Sequence, residues 1–186
     1  MKQIIILLLF SNMMLAQISN VHRNKESYTQ DEFPYKGVRA IQIDEVNFVD
    51  KEDNVFIFSK IEKNANPDKM YFQRFTKDQN GWILKSFVEI SYDGIISSWG
   101  SRKAFADYDG DQSVDALFIY GLYDANFIQK SVHLIYSTKE QFYTIEASVS
   151  DGFKKNKFSA NFNKLDSRSK KKILEYWNKL DKADQS

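Results

Sequence analysis

Met70-Tyr71-Phe72-Gln73-Arg74-Phe75-Thr76-Lys77-Asp78-Gln79-Asn80-Gly81-Trp82-Ile83-Leu84-Lys85-Ser86-Phe87-Val88-Glu89-Ile90 reads as two strands and the connection between them. Met70 to Thr76 alternates, and its aromatic residues belong on a pleated, half-buried surface. Lys77 to Gly81 is the connection, because Asn80-Gly81 supplies the positive φ that a hairpin turn needs. Trp82 to Ile90 returns. Two such runs joined so briefly are antiparallel neighbours.

The same pattern extends outward. Before the hairpin, Val55 to Ile61 is a strand with both faces apolar at its start, and Val38 to Phe48 alternates in part, giving a strand through Ile43 and a second after it. After it come a turn at Asp93-Gly94 and strands over Val114 to Tyr120, Phe127 to Tyr136 and Gln141 to Val149. Asp166 or Ser167 caps a helix running to Lys182, with Ile173, Leu174, Trp177 and Leu180 on one face. The fold class is α+β: one mainly antiparallel β-sheet system with a C-terminal amphipathic helix packed on it. Fifteen Phe and ten Tyr suit a well-filled β core.

Met1-Lys2-Gln3, the apolar run Ile4 to Phe10 and Ala16 before Gln17 make residues 1–16 a signal peptide. The run is too short for the roughly 20 residues that span a bilayer, so no transmembrane segment is expected. Residues 17–34 are polar and aperiodic and read as a flexible leader; residues 35–183 form a single β-rich domain. The chain is therefore expected to be exported, to a periplasm, cell surface or extracellular space. It contains no Cys, which excludes disulfides, thiolate metal sites and a Cys nucleophile. Loss of Lys2 with the signal peptide leaves 25 basic and 25 acidic residues, without the basic excess a nucleic-acid partner favours.

The densest chemistry lies in Asp107-Tyr108-Asp109-Gly110-Asp111-Gln112-Ser113-Val114-Asp115. Calcium takes six to eight oxygens, and short Asp-rich loops supply them. Asp107, Asp109 and Asp111 alternate toward one point, the Ser113 carbonyl falls at loop position 7, and Asp115 closes the ring at position 9. The metal reading is thus Asp107, Asp109, Asp111, Ser113 and Asp115 around a structural Ca2+. The alternative is a solvated, metal-free Asp/Gly turn. An EF-hand is excluded, since positions 6 and 12 hold Gln112 and Phe118 instead of Gly and Glu. From Phe105 to Ile119 the segment resembles the calcium loop of FG-GAP and VCBS repeats, D-x-D-x-D-G-x-x-D running into a strand. It departs from that pattern at Gln112, where the repeats have Gly. The loop occurs once, which excludes a full propeller of such repeats.

Other chemistry is sparse. His22 lies in the leader, and His133 alternates with Val132 and Leu134 as a strand surface residue. No H-E-x-x-H, G-x-S-x-G or Gly-rich phosphate loop is present. Two carboxylates suffice for a glycosidase, so the loop aspartates leave a carbohydrate-active enzyme open. Sugar rings also pack on aromatic faces. Trp82, Tyr92, Trp99 and Tyr108 flank turns, and Trp99 and Tyr108 are the better ligand-binding candidates; Trp82 and Trp177 read as core.

Tyr71-Phe72-Gln73-Arg74-Phe75 with Gly81-Trp82, Ala106-Asp107-Tyr108-Asp109-Gly110-Asp111 and Ile173-Leu174-Glu175-Tyr176-Trp177 carry a wider likeness. Over residues 35–182 the chain resembles a small family of secreted bacterial proteins described as surface polysaccharide biosynthesis proteins. The resemblance implies a link to cell-surface glycans and an envelope partner, and supplies no catalytic residues. The expectation is an envelope accessory or binding protein, with an enzyme or a metal-free interaction module as alternatives.

Overall fold

The computed structural model describes residues 18–22, 28–31, 33–48 and 53–183; the signal-peptide reading of residues 1–16 lies outside them. Ten strands are present among these residues: β1 (Ile18–His22), β2 (Arg39–Phe48), β3 (Asp53–Lys60), β4 (Asp68–Asp78), β5 (Gly81–Tyr92), β6 (Ile95–Ala106), β7 (Asp115–Tyr123), β8 (Gln129–Ser137), β9 (Phe142–Ser148) and β10 (Asn156–Phe158). They form two five-stranded sheets, β1-β2-β3-β4-β5 and β10-β9-β8-β7-β6, each an antiparallel meander in chain order. The fold is mainly antiparallel β with one C-terminal helix, α1 (Ser167–Lys179). The single sheet system expected from sequence is two sheets packed face to face.

The chain changes sheets at Asp93-Gly94, and the corner has no room for a side chain. A Cβ on Gly94 would stand 2.4 Å from the Tyr123 carbonyl oxygen and 2.5 Å from the Tyr92 ring. Close approach of backbone to backbone is what glycine permits.

Period-two alternation sorts the apolar residues into three layers. Phe56 and Phe58 of β3 and Met70 and Phe72 of β4 face inward, against Ala116, Phe118 and Tyr120 of β7 and Ile135 of β8. Phe118 is the hub. Its ring centroid lies 5.7, 5.1 and 4.9 Å from those of Phe56, Phe58 and Phe72 across the interface, and 5.5 Å from Phe105. On the outer face of the first sheet, Ile43, Val55, Ile57 and Phe75 are covered by Phe33 and Trp82. On the outer face of the second, Leu117, Ile119, Leu134 and Ile145 meet Ile173 and Trp177 of the helix. Asp166 caps α1 by accepting from the backbone N–H groups of Arg168 and Ser169.

Several boundaries differ from the sequence reading. Residues 17–34, expected as a leader, contribute β1, which pairs with β2, and the buried ring of Phe33. Backbone pairing needs no apolar alternation in β1, which hides it from a hydrophobicity pattern. The β4–β5 connection is shorter than Lys77 to Gly81, because Asp78 already pairs with Gly81. β7 runs on through Gly121 to Tyr123, and α1 stops at Lys179, short of Lys182.

Phe118→Ala is expected to cost about 3–5 kcal/mol of unfolding free energy, as large aromatic truncations in cores do. Phe87→Ala on the outside of β5, where the ring is 45% exposed, should change stability by less than about 0.5 kcal/mol. Urea titrations followed by tryptophan fluorescence compare the two.

Candidate metal centre

The aspartate loop joins β6 to β7, and the pair Ala106–Asp115 closes its base. Within it, each aspartate is held by backbone N–H groups further along. Asp107 accepts from Gly110 N at 2.6 Å and from Gln112 N at 3.2 Å, through different oxygens. Asp109 accepts from Asp111 N at 3.0 Å, and Asp111 from Ser113 N at 2.7 Å. Successive Asx turns of this kind curl the backbone around its own carboxylates. Gly110 (φ 88°) and Gln112 (φ 66°) both adopt left-handed backbone conformations. The Gln112 conformation costs about 1–2 kcal/mol for a residue with a Cβ.

One carboxylate oxygen from each of Asp107, Asp109 and Asp115 lies within 4.8 Å of the others. Two oxygens bound to one calcium at 2.3–2.6 Å stand at most about 5 Å apart, so this triad can hold an ion. Asp107 and Asp109 are half-buried, while Asp115 is 0% exposed. Asp115 Oδ2 accepts from Tyr108 N (2.8 Å) and from the Tyr136 hydroxyl (2.9 Å). Its second oxygen, Oδ1, is buried with no hydrogen-bond partner. An orphaned carboxylate oxygen in a core costs more than 1 kcal/mol, and more again when charged.

The charges respond accordingly. Burial, then the neighbouring Asp109 charge, pushes the Asp115 carboxyl up to about 7, against the opposing hydrogen bonds from Tyr108 and Tyr136. Asp109 is also raised, chiefly by burial, with repulsion from Asp111 and Asp107 adding to it. Burial, with the Asp115 charge, raises the Tyr136 hydroxyl as well and keeps it a donor. A bound cation would reverse the balance for the carboxyls, favouring their ionised forms.

One arginine ties the loop to the other sheet, and a second lies close over it. Arg74, fully buried on the inner face of β4, donates to the Ser113 hydroxyl (3.0 Å) and to Asn54 Oδ1 (2.9 Å). The loop, part of one sheet, is thereby tied to the other. Arg168 of α1 lies over Gly110, where a Cβ would come within 2.9 Å of its guanidinium. Neither arginine, nor Tyr136, was singled out from sequence as part of this site. For Arg74 a signal existed: its parity in β4 matches Met70 and Phe72, both core.

The expected ligands divide. Asp107, Asp109 and Asp115 come together; Asp111 stands outside that triad, its Oδ1 engaged by Ser113 N. Asp109 and Asp111 border a cleft of about 540 Å³ beside the turn between β8 and β9 and the start of α1. Neither Trp99 nor Tyr108 lines it. Trp99 donates its indole N–H to the Tyr123 hydroxyl (2.9 Å). Tyr108 packs edge-on against Tyr136 and lies under Lys172. His133, expected on a strand surface, is buried and stacked on Tyr120 at 4.6 Å, and burial lowers it to about 4.

No protein-family model, curated protein or solved structure matches the chain. The described residues include no helix long and apolar enough to cross a membrane.

In metal-free buffer the raised Asp115 carboxyl fixes the sign of a pH dependence. Between about 4, where an unfolded Asp titrates, and the folded value of about 7, the folded state holds the extra proton. Stability therefore falls as pH rises through this window, by roughly 4 kcal/mol in all. Urea unfolding in EDTA at pH 5 and pH 8 is expected to show roughly 2–3 kcal/mol of it, and Asp115→Asn to flatten it. An equal drop in Asp115→Asn would assign the effect elsewhere.

Proposed function

We propose that this chain is a calcium-stabilised, non-enzymatic accessory or binding module of the bacterial envelope, linked to surface polysaccharide. The observation that carries the ion-binding part is Asp115: it is fully buried, its Oδ1 has no hydrogen-bond partner, and one of its carboxylate oxygens lies within 4.8 Å of an oxygen of Asp107 and of Asp109. A hard divalent cation between the three carboxylates takes oxygen ligands from them and offsets two of their three negative charges. Ser113 and Asp111 are the further ligands this reading expects. The export and glycan parts rest on the composition of residues 1–16 and on the resemblance to surface polysaccharide proteins.

A raised carboxyl beside a second carboxylate is also what a glycosidase needs in its acid. Asp115, however, has no accessible surface and cannot reach a glycosidic oxygen. A carbohydrate-active enzyme would have to place its proton donor on another residue. Burial and the Asp109 charge raise Asp115 in the absence of an ion, and a cation between the carboxylates would relieve that cost.

The test is thermal unfolding at pH 7.5 in EDTA, then with calcium or magnesium added. A ligand of the native state at 100 times its Kd adds about 2.7 kcal/mol, which raises Tm by roughly 5–10 °C for a chain of this size. The expected result is a rise with calcium, a smaller one with magnesium, and none with either ion in Asp115→Asn. No response of the unmodified chain to calcium would reduce the loop to a metal-free turn.

A further inference from the structure

A second cavity lies away from the ion loop, between β2 and β3 of one sheet and β6 of the other. It is an open cleft of about 700 Å³, within the range of small-molecule sites. Two strands are irregular where they border it. In β2, Ile41 is an extra residue between the pairs Ala40–Ser59 and Gln42–Phe58. In β6, the four residues 99–102 stand opposite the single Ile119 of β7. Bulges re-aim side chains and are concentrated beside functional sites.

The charge in the cleft is specific. Lys60, Lys103 and Arg39 line it. Lys60 is paired with Asp68 and also donates to the Ile96 carbonyl at 2.8 Å; Lys103 is paired with Asp44. Arg39 has no carboxylate partner among the described residues, and its Nε is buried without a hydrogen bond. Because the two lysines are answered, the cleft carries a single unanswered positive charge in fork geometry. Ser97, Gly100 and Ser101 line the same cleft. Ser98 donates to Gln42 Oε1 at 2.8 Å across the two sheets, and Gln42 donates to Asp44 at 2.6 Å. This chain holds the cleft walls together while leaving Arg39 unused.

We infer that the cleft binds a small, hydroxyl-bearing oxyanion, its carboxylate or phosphate on the Arg39 guanidinium and its hydroxyls on the β6 serines. A planar guanidinium matches such an oxyanion through two parallel hydrogen bonds, which an ammonium cannot do. The inference is independent of the ion loop, none of whose residues lines the cleft.

The test uses the full chain, 15N-labelled, titrated with D-glucuronate, glucose 6-phosphate, D-glucose and inorganic phosphate in turn. The expected result is saturable shifts in the amides of Ser97, Ser98, Gly100 and Ser101 with one or both sugar anions, and none with glucose. Which anion binds distinguishes a carboxylate from a phosphate ligand. Arg39→Gln should weaken binding at least about tenfold, as loss of a charge-assisted pair does, and Arg39→Lys should recover only part of it. Both variants should keep the unmodified Tm, since Arg39 has no protein partner to lose. Absence of saturation by either sugar anion up to about 10 mM, or unchanged binding in Arg39→Gln, would overturn the proposal. Glucose binding as well as the anions would overturn its charged part, and phosphate alone binding as tightly would overturn its hydroxyl part.

Discussion

Strand β7 has apolar partners on both faces, and much of the molecule is arranged to meet that constraint. Its inner residues Ala116, Phe118 and Tyr120 need the first sheet, while Leu117 and Ile119 need the helix. The two meanders and α1 are therefore three layers built around one strand. Burial of such large side chains is the main favourable term available to a chain with no disulfide.

The same constraint creates the electrostatic problem at the head of β7. Asp115 opens a strand that is buried along its length, so its carboxylate is drawn out of water with it. Tyr136 and the Tyr108 N–H satisfy one oxygen and leave the other without a partner. Asp107 and Asp109 then add like charge instead of relieving it. A protein can meet this by holding a proton, at a cost that grows with pH, or by holding a cation. The Arg74–Ser113 bond ties the loop to the first sheet and offers nothing to the three carboxylates.

Much of this was legible in the residues. Apolar runs and alternation located β3, β4, β5, β7, β8 and β9, and helical spacing located α1 with Trp177 on its apolar face. Asp107, Asp109 and Asp115 were legible only as part of a larger group with Asp111 and Ser113, because the Asp spacing of a calcium loop is also that of an Asp/Gly turn. What sequence could not convey was long-range. Two sheets and one sheet share the same local alternation, and the separation hangs on Gly94, whose need for space comes from Tyr123. β1 has no apolar alternation in its sequence, so its pairing with β2 leaves no local signal. The bulge in β6 breaks the alternation over 99–102, so the residue pattern gives no strand between Asp93-Gly94 and Val114, where β6 lies. Trp99 and Tyr108 looked available near turns, yet partners distant in sequence, Tyr123 and Tyr136, engage them.

Terbium luminescence tests the central claim, an ion held by Asp115 with Asp107 and Asp109, most directly. Tb3+ takes oxygen ligands as calcium does, and it emits when a tyrosine within a few ångströms is excited. Tyr136 is bonded to Asp115, and Tyr108 packs on Tyr136. The account predicts tyrosine-sensitised emission that saturates at one ion per chain, is displaced by calcium and is lost in Asp115→Asn. Emission that never saturates, or that survives unchanged in Asp115→Asn, would contradict it.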